Sequence, residues 1–254
     1  QRAQGQTLPS KVTRMCNRYN VRGNATGIGK ALGAKVQTDF AWTGDILPRD
    51  IAPGLLVVDA ARELVPMQFA LAKPGAPEPS DPKFPNNNAR VEKLDKWPWK
   101  DPVKSRRCIV PLSEFREPCY WGEPAGNEVN FYSPADDYLG VASIYNLWQG
   151  SKDDEPLVTM SFRMRPASEF VMEHGHHRQP FFLDPKAWDA WMDPEPRELT
   201  DSITILRGAA YEPELSYDVV REMAPSWKSR QKAREKKRDE QLDEIDRTGQ
   251  PLGI

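Results

Sequence analysis

Apolar residues in this chain fall in short runs cut apart by turn formers, the pattern of strands separated by loops. Leu55-Leu56-Val57-Val58 follows Pro53-Gly54, and Leu64 to Leu71 forms a second run. Arg106-Arg107-Cys108-Ile109-Val110-Pro111 predicts a strand that ends at its proline, with Phe115-Arg116-Glu117-Pro118 just after it. Glu128 to Tyr132, Tyr138 to Tyr145, Leu157 to Phe162 and Phe181 to Leu183 extend the series. Helical signals are fewer. Gly27 to Leu32 can open one helix and Ala167 to Met172 another. Asp184 to Met192 reads as a third, with Asp184 as its cap and Pro185 in its first position. Pro74, Pro77, Pro79, Pro82 and Pro85 predict an extended surface loop over 73–85. Asn86, Asn87 and Asn88 suit neither helix nor strand and offer donors and acceptors to a site. The expectation is one α+β, mainly β, domain over residues 15–225.

The two ends read differently. Residues 1–14 are polar, bury nothing and lack an apolar core, so they are expected to be a disordered extension and not a secretory signal. From 226 to 254 the chain is a charged tail, helical or disordered. Lys228 to Arg238 carries seven cations and one acid, and Asp239 to Asp246 is acidic. Such a tail is either a solvated segment without a specific role or a grip on phosphates. The net charge of the 254 residues is -2, so any surface for nucleic acid must be local. Three cysteines without regular spacing argue against a disulfide framework and for a reducing compartment. No apolar run approaches the ~18 residues of a membrane helix, and no membrane partner is expected.

Candidate chemistry concentrates in a few places. Cys16 follows Met15 directly. If translation starts at Met15, methionine removal is expected because Cys is small, and Cys16 then carries both a thiol and a free α-amine. That 1,2-aminothiol condenses with aldehydes and closes a five-membered thiazolidine ring. The alternative is a small buried thiol in a reduced protein. His174, His176 and His177 lie within four residues, as one catalytic histidine with two bystanders or as metal ligands. No Cys-x-x-Cys accompanies them, which disfavours a structural zinc site. Glu117, at an apolar strand end, is either a partly buried proton shuttle with a raised pKa or a surface partner of Arg116. Arg18, Arg90, Arg106, Arg107 and Arg178 together would form a local anion site. Gly23 to Lys30 has a phosphate-loop flavour but lacks the Walker spacing.

Taken in order, these motifs resemble one family, the SOS-response-associated peptidases. Met15-Cys16-Asn17-Arg18-Tyr19 matches its opening signature, and Asn88-Ala89-Arg90-Val91-Glu92 its second motif. Arg107 to Pro111 running into Phe115-Arg116-Glu117 matches the third, and His176-His177-Arg178-Gln179-Pro180-Phe181 the last. The resemblance implies a compact, barrel-like, mostly β domain that acts without cofactor or metal. It implies a covalent crosslink between Cys16 and abasic sites in single-stranded DNA, and self-cleavage of the Met15–Cys16 bond to expose the amine. Carried over by motif, Asn88 positions the amine or sugar, and Glu117 is the general acid/base. His176 stabilises the ring-opened sugar, while Arg18, Arg90 and Arg178 hold phosphates. A monomer is the default expectation, cytoplasmic and nucleoid-associated in a bacterium or nuclear in a eukaryote.

The chain departs from the family pattern in several positions. Asn17 replaces a glycine, and Gln68-Phe69-Ala70-Leu71 replaces Arg-Trp-Gly-Leu. Pro118 replaces an aromatic, with Tyr120 and Trp121 as stacking substitutes, and Gln179 replaces a methionine. Two other function classes stay open. One is a non-covalent binder of single-stranded nucleic acid. The other is a cysteine hydrolase using Cys16, His176 and Asn88 as nucleophile, base and orienter.

Overall fold

The computed structural model describes residues 18–151, 153 and 155–249. Cys16 and the 1–14 extension lie outside the described residues. The chain runs β1 (Arg18–Asn20), α1 (Ala25–Leu32), β2 (Ile51–Val58), β3 (Ala61–Phe69), β4 (Asn88–Arg90), α2 (Pro102–Ser105), β5 (Arg107–Leu112) and β6 (Glu114–Pro118). Then come β7 (Asn127–Tyr132), β8 (Leu139–Trp148), β9 (Leu157–Pro166), α3 (Glu169–Glu173) and β10 (Arg178–Pro180). The chain closes with α4 (Trp188–Met192), α5 (Leu199–Gly208), β11 (Ser216–Glu222) and α6 (Trp227–Thr248).

Five strands close into a barrel in the order β9-β3-β2-β5-β8, because β8 also pairs with β9. β2 and β3 form a hairpin whose two turn residues, Asp59 and Ala60, have φ of 47° and 59°. That backbone matches the twist of the flanking strands. β4 and β10 both attach to the C-terminal half of β9, at Phe162 to Pro166. A second, antiparallel sheet runs β1-β6-β7-β11. Tyr19 on β1 joins the two. Its ring lies 5.0 Å from that of Phe69 on β3 and 4.8 Å from that of Phe162 on β9. The α+β, mainly sheet architecture expected from the sequence is the one observed. No helix among the described residues is long and apolar enough to cross a membrane.

Several elements differ from their sequence expectation for physical reasons. Asn88 stands in a strand, because β4 finds a parallel partner in β9. The run Phe181 to Leu183 follows a strand instead of forming one, and its members Phe182 and Leu183 make only single bridges, to Val141 and Ala210. The helix at Asp184 is split. A 3-10 turn at Pro185–Ala187, where the Asp184 carboxylate accepts from the Lys186 amide, leads into α4.

β9 runs on to Pro166, past the polar-looking Arg163 and Arg165, because both faces of the sheet are covered here. Arg163 is fully buried, and among the described residues none of its guanidinium nitrogens has a hydrogen-bond partner. Burial pulls its pKa down to about 9, against the pull of Glu92. Burying an unanswered charge is costly, so Arg163→Met is expected to stabilise the protein by about 1–4 kcal/mol. Urea denaturation checks this, and a midpoint below wild type would sink the prediction. Arg107 is the contrasting case. Its buried guanidinium is satisfied by backbone carbonyls, among them Trp191 at 2.8 Å and Glu195 at 3.0 Å. It is used up inside the fold.

Candidate active site and its surroundings

Glu117 and His176 meet in the interior, each with a fully buried side chain. The Glu117 Oε2 to His176 Nε2 distance is 3.6 Å. Strand alternation explains Glu117. On β6, Phe115 and Glu117 face the core, while Arg116 between them faces out. Arg116 is therefore not the partner of Glu117; it donates to Asp45 at 2.9 Å and to Asn130 at 2.7 Å. His176 is delivered by Gly175, whose φ of +101° suits glycine. A Cβ at that position would lie 2.6 Å from the Trp121 carbonyl oxygen and 2.7 Å from the Cys119 Cβ. Only a glycine lets the chain leave α3 this close to the segment after Glu117.

The tautomer of His176 follows from its partner. Nδ1 lies 2.8 Å from the Arg178 carbonyl oxygen, which only accepts. Nδ1 therefore carries the proton and Nε2 presents its lone pair toward Glu117. Burial lowers the His176 pKa to about 3, with the charges of Arg234 and Arg178 adding to the effect and the Arg178 carbonyl opposing it. Burial also lowers His177, helped by the neighbouring His176 and by Arg178, Arg234 and Lys237. Both imidazoles are neutral at pH 7. A neutral acceptor nitrogen facing a carboxyl group makes a gap suited to a mobile proton, borne by a hydroxyl, an iminium or water.

His174 plays a different part. It packs at a tilt against Phe170 and Tyr217, with centroids 4.3 Å and 4.8 Å away, and its Nδ1 donates to the Phe170 carbonyl at 2.7 Å. Among the described residues no three His, Cys, Asp or Glu side chains converge in a geometry that holds a metal ion. Cys108 and Cys119 are buried, and burial raises both thiol pKa values. Neither is a ready nucleophile.

Asn88 approaches from β4, where it pairs with Phe162, the ring that also packs against Tyr19. Tyr19 in turn pairs with Phe115, two residues before Glu117. Glu117 thus follows the residue that pairs with the start of β1, Asn88 stands on the strand beside Phe162, and Cys16 precedes β1 by two positions in sequence. Arg90 and Arg178 line one cavity of about 510 Å³ together with Glu92, His177 and Lys237. Arg178 pairs with Glu92 at 2.6 Å. Arg18 is set apart. It pairs with Arg116 across the ladder, on the face opposite Glu117, and lies 3.9 Å from Asp45 and 3.8 Å from Glu128. A larger cleft of about 640 Å³ lies elsewhere, around Lys35, Arg62 and Asp189. Its Arg62 and Asp189 answer each other at 2.6 Å.

Residues 15–226 match the family model for SOS response associated peptidases. The chain belongs to this family. An abasic site processing protein, HMCES, from Gallus gallus is 30% identical over 139 residues, 46% of this chain. The match spans only 40% of that relative's length. Solved structures share the fold. A protein from Bacteroides thetaiotaomicron superposes with a TM-score of 0.67 at 17% identity, covering 81% of this chain and 92% of its own. One from Bordetella bronchiseptica gives 0.64 at 17% identity, covering 81% and 100%. A phage-related protein from the same organism gives 0.58 at 21% identity, covering 82% and 95%.

The departures from the family pattern have structural counterparts. Phe69 is buried in the aromatic cluster with Tyr19 and Phe162. Gln179 is buried, and its Oε1 accepts from the Ser168 amide at 2.7 Å, at the N-cap of α3. Tyr120 and Trp121 lie under cations, Arg234 at 5.5 Å and Arg238 at 4.8 Å. Arg234 and Lys237 were singled out by no site motif. Their only signal was the run of cations after Ser226.

Proposed function

We propose that this protein processes abasic sites in single-stranded DNA by forming a thiazolidine crosslink through Cys16. We propose further that it exposes the Cys16 amine by hydrolysing the Met15–Cys16 bond. The observation that carries this reading is the buried Glu117–His176 pair beside the start of β1, two residues after Cys16 in a family match that begins at residue 15. The inert states of Cys108 and Cys119 and the likeness to an abasic site processing protein from chicken support it.

The steps follow from the chemistry of an aldehyde and an aminothiol. The amine nitrogen adds to C1′ of the ring-opened sugar. Loss of one water gives the iminium, and the thiolate sulfur adds to the same carbon to close the ring. Glu117 moves the protons that opening the sugar and losing water require. Neutral His176, with its Nε2 lone pair toward Glu117, takes up and returns the proton shared across the gap. Asn88 orients the amine, and Arg90 and Arg178 hold the adjoining phosphates. Self-cleavage uses the same groups, with water consumed at the Met15 carbonyl. Single strands suit the reaction because the sugar is reached without unstacking a duplex.

The test compares protein starting at Cys16, its Cys16→Ala variant and a form whose residues 1–15 are retained. Each is mixed with a single-stranded oligonucleotide bearing one abasic site and run on a denaturing gel. A heat-resistant shifted band is expected for the Cys16-start protein and none for Cys16→Ala, while the long form should give a band only to the extent that mass spectrometry shows its Met15–Cys16 bond cut. No band from that protein, with its thermal melt intact, would sink the covalent reading.

A further inference from the structure

Helix α6 begins at Trp227, one residue past the end of the family match. Its 22 residues include none that is fully buried, yet Trp227, Arg234 and Arg238 touch the domain. Trp227, Arg230, Arg234, Arg238, Gln241 and Ile245 are half-buried and recur every three or four residues, a single stripe. That stripe is largely polar. Arg234 and Arg238 lie over the rings of Tyr120 and Trp121, cation–aromatic contacts that hold the helix against the domain. At the N-terminal end, Trp227 packs on Gly126, where a Cβ would come within 3.0 Å of the indole.

Docked in this way, α6 brings Lys237 into the cavity that Arg90, His177 and Arg178 line from the barrel side. Arg234, one turn earlier, adds to the same field. Burial lowers the Lys237 pKa, and so do the charges of Arg234, Arg90 and Arg178. Burial lowers Arg90 too, as does Arg178, while Glu92 pulls it up and Arg234 pulls it slightly down. Arg90, Arg178 and Lys237 therefore line one cavity, with Arg234 on α6 one turn before Lys237. Arg178 is answered by Glu92 at 2.6 Å, whereas among the described residues Arg90, Arg234 and Lys237 take part in no ion pair. Glu240 and Glu244 line the cavity further along the helix, and Glu240 is engaged by Lys236 at 3.6 Å. Arg90, Arg234 and Lys237, which no carboxylate among the described residues pairs, leave room at this wall for an anion from outside.

We propose that α6 is one wall of the DNA-binding groove, and that Arg234 and Lys237 join Arg90 and Arg178 in clamping successive backbone phosphates beside the buried Glu117–His176 pair. The proposal rests on the reading that the ligand is single-stranded DNA. It assigns to the segment beyond the family domain a direct share in binding.

The test measures binding of a fluorescent single-stranded oligonucleotide without abasic sites, by anisotropy, over a series of salt concentrations. The full chain is compared with R234Q/K237Q. Glutamine keeps the helix propensity and removes two charges. Affinity is expected to fall roughly tenfold at about 0.1 M salt, and the slope of log K against log salt to become shallower by about 1.4, or ~0.7 per lost phosphate contact. K228Q/K232Q removes the same charge from exposed positions outside the docked stripe and is expected to change the slope little. Equal or tighter binding by R234Q/K237Q overturns the clamp, the tighter result marking α6 as a cover over the groove. An equal weakening by K228Q/K232Q overturns it as well, leaving only bulk charge. Absence of binding by the unaltered chain removes both the clamp and the proposed function, so the two failures are told apart by the wild-type curve.

Discussion

In protein that begins at Cys16, Glu117→Gln will slow adduct formation with abasic single-stranded DNA by about 10²- to 10⁴-fold, the range for losing a positioned proton carrier. Gln matches Glu in shape, so the buried slot on β6 stays filled, but an amide cannot give up and regain the proton. The carboxyl group is fully buried and 3.6 Å from the neutral Nε2 of His176, so bulk water has no easy route to replace it. Reversible binding to intact single-stranded DNA is expected to stay within about twofold, because the phosphate contacts come from other residues. A time course of adduct formation under single-turnover conditions reads the rate. A rate within threefold of wild type, in a variant that melts normally, would remove Glu117 from the chemistry.

Acid will destabilise the protein through the two buried imidazoles. An unfolded His176 takes up a proton near pH 6.5, whereas in the folded protein burial holds protonation off until about pH 3. Between those values the unfolded chain carries the extra proton. Stability is therefore fully present above pH 6.5 and drops as pH falls toward 3. For His176 the loss is on the order of 5 kcal/mol across the whole window. His177, shifted in the same direction, adds to it. Denaturant titrations at pH 7.5, 6, 5 and 4 will show the fall. His176→Gln will flatten the pH slope by up to one proton's worth while shifting the whole curve by a constant. Parallel curves for wild type and variant would mean that His176 is not kept neutral by the fold.

Much of the sheet was legible because its strands are short apolar runs bounded by turn formers. β5, β7 and the start of β9 fall where those runs lie. β11 was not read. Its residues from Asp218 on are exposed and it holds its place through the ladder to β7, an interaction with residues about 90 positions earlier. α5 was missed as well, since it buries only Ser202 and Leu206 fully and carries a weak apolar stripe. Ordered motifs marked Asn88, Arg90, Glu117, His176 and Arg178 as a set. They did not tell Arg18, on the outer face of β1, from Arg90 and Arg178 on the cavity wall.

The amino-acid sequence alone determined the family, the mostly β character and the residue types available for chemistry, because spacing and local pattern are properties of the chain itself. Whether Glu117 pairs with Arg116 or turns inward to His176 was decided only when β6 took its register in the second sheet and Gly175 brought α3 against the segment after it. The same holds for the charged segment after Ser226. Its composition fits a solvated tail equally well. Its place over Tyr120, Trp121 and the cavity depends on aromatic faces and cations that sit far apart in sequence and meet only once the barrel has closed.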